Sequence, residues 1–235
     1  MTVKEIMSQL EAFGDPKVKT LWLKHGIKEP FFGVKIEKLK IIQKQIKKDD
    51  RLARELYATG NADAMYLAGL IADDAKMGKQ ELQTWVSRAV SQNISEYTVP
   101  WVTAGSPHGY ELALEWIDSN KDHIAAAGWA TLSGVVSMRP DTALDLPQLK
   151  VLLARVAQNI HKAPNRVRYT MNGFIIAVGA YVTPLTKEAL NTAKKIGQVI
   201  VDMGETACEV PSAAGSIAKI EARGSLGKKK KTVKC

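Results

Sequence analysis

At 235 residues, with 46% hydrophobic and 24% charged side chains, the chain has the make-up of one ordinary globular domain or two small ones, with enough apolar material for a real core. Its apolar runs stop short of the roughly 18–20 residues that a membrane span needs, and the amino-terminal MTVKEIMSQLEAFGD reads as a polar helix start instead of a secretory signal, so a cytoplasmic protein with no membrane partner is expected. The formal net charge is +9, and the cysteines, Cys208 and the terminal Cys235, exclude a disulfide framework and a four-thiolate zinc site.

Taken in chain order, residues 1–16 carry a net charge of −2 and end at Asp15-Pro16, a capping side chain ahead of a proline suited to the first helical position. Residues 17–48 hold ten lysines against Glu29 and Glu37, a net +8. Within them Ile36, Leu39, Ile42 and Ile46 recur at helical spacing and leave Lys40, Lys44 and Lys47 on another face. Like charges at that spacing repel unless an anion lies beside them. Residues 49–218 are net acidic at −3. Trp22 and Trp85 fall in amphipathic helices and read as core, whereas Trp101, Trp116 and Trp129 sit in consecutive helices of the middle third. Stacked side by side, those helices would line a concave surface with aromatic rings suited to a distorted or unstacked nucleotide. Packed indoles are the competing reading.

Ser106-Pro107 and Thr183-Pro184 repeat the helix-start chemistry, and Leu149, Leu152, Val156 and Ile160 repeat the helical stripe. Arg166 and Arg168 follow Pro164 near a helix start, where backbone amides also favour phosphate. Two β-prone runs, 198–203 and 206–210, flank Gly204-Glu205 and predict a small β-hairpin closed by Pro211. Residues 219–235 are net +6, and from 225 onward SLGKKKKTVKC predicts a flexible basic tail that includes Lys228, Lys229, Lys230 and Lys231.

The pattern predicts an all-α chain: about a dozen helices joined by short links, paired antiparallel into an α-solenoid of HEAT-like helix pairs, with the small hairpin near 198–210. One helical-repeat domain is expected over 1–224, followed by the tail at 225–235. No fixed-period repeat is detectable. Walker, dinucleotide-fingerprint, nucleophile-elbow and metalloprotease motifs are all missing, and His25, His108, His123 and His161 are too scattered to form a metal site. No metal and no small-molecule cofactor are therefore expected. Two basic blocks around an acidic middle point to a nucleic-acid partner.

Several stretches together resemble the HEAT-like-repeat DNA alkylation repair proteins of the AlkC/AlkD superfamily. They are LKHGIKEPFFGVKI (23–36), ELYATGNADAMYLAGLIAD (55–73), WVTAGSPHG (101–109), GWATLS (128–133), APNRVRYTMNGFIIAVGAYV (163–182) and the segment from Val201 to Cys235. The later pieces look most like its AlkF/AlkG-type branch, in which a hairpin and a lysine-rich carboxyl end are added. The resemblance implies a DNA-binding solenoid. In the active glycosylases an aromatic cradle and a carboxylate flank a cationic alkylated purine, and preplaced charge of that kind stabilises cationic sugar character. Trp101 matches the first cradle tryptophan, but the carboxylate position falls on Gly105, Ala130-Thr131-Leu132 lacks the expected arginine, and the second cradle tryptophan falls on Ile176.

Catalytic residues are accordingly left unassigned. Glu96, Glu111, Glu115 and Asp118 lie nearby in sequence, with Glu111 and Glu115 on one solvated helix face. The expectation is a protein that binds DNA, whether duplex, branched or damaged, by backbone and shape, without classical glycosylase activity. Trp101, Trp129, Lys40, Lys44, Arg166, Arg168 and Lys228 to Lys231 are the expected contacts. The alternatives are an active alkylpurine glycosylase and a helical protein-interaction scaffold.

Overall fold

A computed structural model of the chain describes residues 1–89 and 91–235. Among the described residues there are thirteen α-helices and no strand, only an isolated antiparallel bridge between Gly14 and Val34. None of these helices is long and apolar enough to cross a membrane. The chain divides into two compact units: Met1–His108 with Met203–Ala207 and Lys234–Cys235, and Gly109–Asp202 with Cys208–Val233.

The first unit contains α1 (Val3–Ala12), α2 (Pro16–Lys24), α3 (Ile36–Ile46), α4 (Asp50–Ala58), α5 (Ala62–Ile71), α6 (Lys79–Arg88) and α7 (Val99–Gly105). Capping residues start several of them as the sequence suggests. The Asp15 carboxylate accepts from the N–H groups of Lys17 and Val18 with Pro16 in the first turn, and Asn61 and Asp49 cap α5 and α4. Every residue of α5 is buried, because the helix is apolar all round and α3, α4 and α7 pack on it. Its one acid, Asp63, accepts from the backbone N–H groups of Phe32, Gly33 and Val34, which folds the FFGV segment onto the helix. Burial pushes the Asp63 carboxyl up, and those three hydrogen bonds pull it back down. Tyr57 stacks on Trp85 with ring centroids 4.0 Å apart and donates its hydroxyl to the Trp85 carbonyl. Trp22 is only half-buried, packed on Ile27, Phe31 and Ala62.

The second unit contains α8 (Gly109–Trp116), α9 (Asp122–Met138), α10 (Leu146–Asn159), α11 (Asn165–Tyr181), α12 (Thr186–Ile196) and α13 (Ala213–Ala222). The long helices α9 and α11 pack together at its centre, with α8 on α9 and α12 and α13 on α11. Leu149, Leu152, Val156 and Ile160 are all buried, as their spacing requires. At Ser106-Pro107 the expected helix start is displaced: Ser106 accepts from the His108 N–H in a turn, and α8 begins at Gly109. Thr183-Pro184 likewise forms a 3-10 turn ahead of α12.

The expected hairpin at 198–210 is not formed as paired strands. The segment is irregular, bent at 198 and 205–206 with Gly204 at φ +69°, and side chains of α11 take backbone groups that a ladder would have used. Arg168 Nη1 donates to the Ile200 carbonyl at 2.9 Å, Asn165 bonds both the N–H and the carbonyl of Asp202, and Asn172 donates to the Pro211 carbonyl. Residues 225–235, marked by composition as a flexible tail, are placed against the helices. The N–H of Gly227 bonds the Ala180 carbonyl and that of Lys230 bonds the Ser137 carbonyl.

Candidate nucleic-acid interface and the Trp101 face

In the first unit a short π-helical turn, Ile94–Thr98, leads into α7 and carries the buried Glu96. Such turns interrupt the regular ladder and are frequent at functional sites. Trp101 follows in the first turns of α7 and is 9% exposed. Tyr66 of α5 meets its ring edge-on at 5.3 Å and Tyr97 lies at 6.0 Å. Tyr97 remains exposed, so the cluster has one open edge.

Gly105 is one helical turn beyond Trp101 on the same face of α7. A Cβ at this position would collide with the carboxylate and the Cβ of Asp74, which projects from a 3-10 turn at Asp74–Lys76. The space beside Gly105 therefore already holds a carboxylate, delivered from another element. Asp74 Oδ1 lies 2.6 Å from Lys234 Nζ, and the same ammonium donates to the Ala72 carbonyl at 2.8 Å. Burial pushes the Asp74 carboxyl up and the Lys234 ammonium down, and their mutual attraction works against both shifts. Next to them Tyr66 is hydrogen-bonded to Cys235, and its hydroxyl is raised chiefly by burial.

Nothing local in the sequence marks either Asp74 or Lys234. Lys234 and Ala72 are 162 residues apart, and Asp73-Asp74 reads as ordinary loop acidity. The only local signal was the glycine at 105, whose missing side chain leaves room for a neighbour.

On α3 of the same unit Lys40 is half-buried and Lys44 is exposed, whereas Lys47, also exposed, caps the helix with φ +65° and so leaves the face that its spacing suggests. Lys38 leans over the Phe13 ring at 5.5 Å. This gives the first unit a lysine-bearing helix and, separately, the Trp101 cluster. A further cavity of about 350 Å³ is lined by Lys28, Glu29, Tyr57, Met65 and Arg88 among others, with none of the expected DNA contacts in its wall.

Trp129 belongs to the second unit, where it is 0% exposed, packs on Phe174 at 5.2 Å and lies under the Arg155 guanidinium at 5.6 Å. Its ring is core and presents no face to a ligand. Arg155 is also tied to Asp118 at 2.7 Å and to the Ile117 carbonyl. Arg166 stacks on Tyr169 at 4.5 Å, while Arg168 is engaged with the 198–210 segment through Ile200. Among the tail lysines, Lys229 pairs with Asp141 at 2.8 Å and donates to the Val136 carbonyl, and Lys230 lies over the Tyr181 ring at 5.3 Å. Lys228 and Lys231 are exposed. The arginines stand at the start of α11 and the tail docks at its end, near Ala180, about 21 Å further along at 1.5 Å per residue. Two basic patches result, one at each end of that helix. Ile176, at the second cradle position, is half-buried on α11. Among the described residues no group of histidines, cysteines and carboxylates is arranged to hold a metal ion.

Helix pairs with no strand among the described residues, basic side chains on separate elements and an aromatic cluster beside a carboxylate define an α-helical-repeat protein of the kind that handles nucleic acid. The chain belongs to the DNA alkylation repair enzyme family, whose pattern matches residues 6–200. It is 31% identical over 229 residues to the uncharacterized protein Lin0241 of Listeria innocua, covering 95% of this chain and 99% of that one. The protein Lmo0209 of Listeria monocytogenes gives the same identity and coverage. A solved structure described as "a new family of proteins related to the HEAT-like repeat DNA glycosylases with affinity for branched DNA structures" superposes with a TM-score of 0.91 at 36% identity, covering 100% of both chains. The HEAT-like-repeat fold expected from the sequence is thus the fold of this chain.

Proposed function

We propose that this chain is a cytoplasmic DNA-binding member of the family, of the AlkF/AlkG-type branch, that grips branched or distorted DNA by its backbone and shape and does not excise bases. The observation that carries the reading is the full-length likeness, at 36% identity, to a protein with affinity for branched DNA. The chain's own residues fit it. Exposed Lys44 and half-buried Lys40 on α3, Arg166 at the start of α11, and Lys228 and Lys231 in the tail are basic groups suited to phosphates. Gly105 supplies no carboxylate, and the one that occupies its space is neutralised by Lys234. Competition of unlabelled linear, bulged and four-way-junction DNA against a labelled junction tests the proposal. The junction should compete best, and equal competition by linear duplex would refute shape recognition.

A second reading, an active alkylpurine glycosylase, is favoured by one observation: Asp74 places a carboxylate one turn from Trp101. It requires single-turnover release of methylated purines from treated DNA that disappears in Asp74→Asn.

A further inference from the structure

The contacts around Lys234 form a built receptacle for a cation. Its Nζ rests on the Ala72 carbonyl at 2.8 Å and on the Asp74 carboxylate at 2.6 Å. The Lys234 side chain is only 12% exposed and that of Asp74 22%. Ala72 caps the carboxyl end of α5, a helix buried along its whole length, so the ammonium held by its carbonyl lies beside the negative end of the helix dipole. Gly105 makes the seat possible, since a Cβ there would expel Asp74. The neighbouring acid, Asp73, is already paired with Lys48 and Lys76 at 3.1 and 3.5 Å, which leaves Asp74 to the buried cation.

We propose that Asp74, the Ala72 carbonyl and the gap at Gly105 form an alkylammonium-binding site that the chain fills in cis with Lys234. The ligand class is a primary ammonium on an unbranched apolar stem. The Ala72 carbonyl accepts a hydrogen bond from the ammonium, the Asp74 carboxylate at 2.6 Å supplies the counter-charge, and the stem that reaches them is largely buried. Occupancy by Lys234 also sets the neighbouring Cys235 against Tyr66, the ring that borders Trp101. The site stands on these contacts alone and is independent of DNA binding.

The test is chemical rescue in the full-length protein. Lys234→Ala removes the ammonium and the three carbons beyond Cβ, and n-propylammonium chloride, which matches the excised atoms, is titrated at constant ionic strength with n-propanol as the neutral control. Calorimetric titration should show saturable binding of n-propylammonium to Lys234→Ala together with recovery of part of the lost Tm. Wild-type protein, whose site is filled, should show neither effect. Lys234→Ala combined with Asp74→Asn should show neither, and this double variant separates the site from general salt effects. Equal binding to wild type and variant, rescue by propanol, or binding that survives Asp74→Asn would overturn the assignment. So would a Lys234→Ala protein with unchanged Tm and no affinity for the amine. A Lys234→Met variant keeps the stem and should lose stability without gaining amine binding, which guards against a packing defect mistaken for a cation site.

Discussion

Adding a single methyl at Gly105 should break a contact made by a residue far away in sequence. A Cβ there meets both the carboxylate and the Cβ of Asp74, so turning the carboxylate alone does not relieve the collision, and the ion pair between Asp74 and Lys234 must give way. Breaking a fully buried pair costs about 3–5 kcal/mol, and the partial exposure of these two side chains reduces that to about 1–3 kcal/mol. Replacing glycine at the last position of a helix returns at most about 1 kcal/mol. Gly105→Ala should therefore destabilise the protein by about 1–2 kcal/mol, a fall in Tm of roughly 2–8 °C for a chain of this size. Calorimetry of Gly105→Ala, Lys234→Met and the double variant forms a thermodynamic cycle, and the glycine substitution should cost less once Lys234 is gone, by about 1 kcal/mol. Strict additivity, or a Gly105→Ala protein as stable as wild type, would refute the packing of Asp74 against Gly105.

Trp129→Ala should lower stability by about 3–5 kcal/mol, as for other large core truncations. DNA affinity measured well below the variant's Tm should change little, because the ring is fully buried. Tyr57 is buried with its hydroxyl pKa raised well above the usual tyrosine value by desolvation, so its contribution is full below about pH 10 and is lost as pH rises through the folded-state value. Tyr57→Phe should cost about 1 kcal/mol at neutral pH for the lost bond to the Trp85 carbonyl, and denaturant titrations above about pH 10 should show a shallower alkaline loss than wild type. Replacing Lys228 and Lys231 with alanine should reduce the slope of log K against log salt by about 1.8 if both contact phosphates, and an unchanged slope would remove the tail from the interface.

Much of the fold was legible because local rules and packing agree. The stripe of α10 is buried as spaced, and Asp15-Pro16 opens α2 as its chemistry dictates. Legibility failed where partners are remote. Trp129 lies in an alanine- and glycine-rich helix buried on nearly every side, so no stripe tells which way its ring faces. The 198–210 segment has strand-like residues, but side chains of α11 claim its carbonyls, and those bonds join positions 32–37 residues apart. Four consecutive lysines suggest repulsion and freedom, yet Lys229 finds Asp141 and a helix-end carbonyl. Of the site itself, the sequence showed the tryptophan and the missing carboxylate; it could not show Asp74 filling the gap.

Recognition of DNA shape through phosphate contacts has a direct readout in equilibrium binding of a four-way junction and of linear duplex with the same sequence, followed between about 50 and 200 mM salt. The junction should bind more tightly at every salt concentration, with a slope of about −4 to −5 for the five proposed basic contacts. Equal affinity for the two forms, or no binding to either at moderate salt, would contradict it.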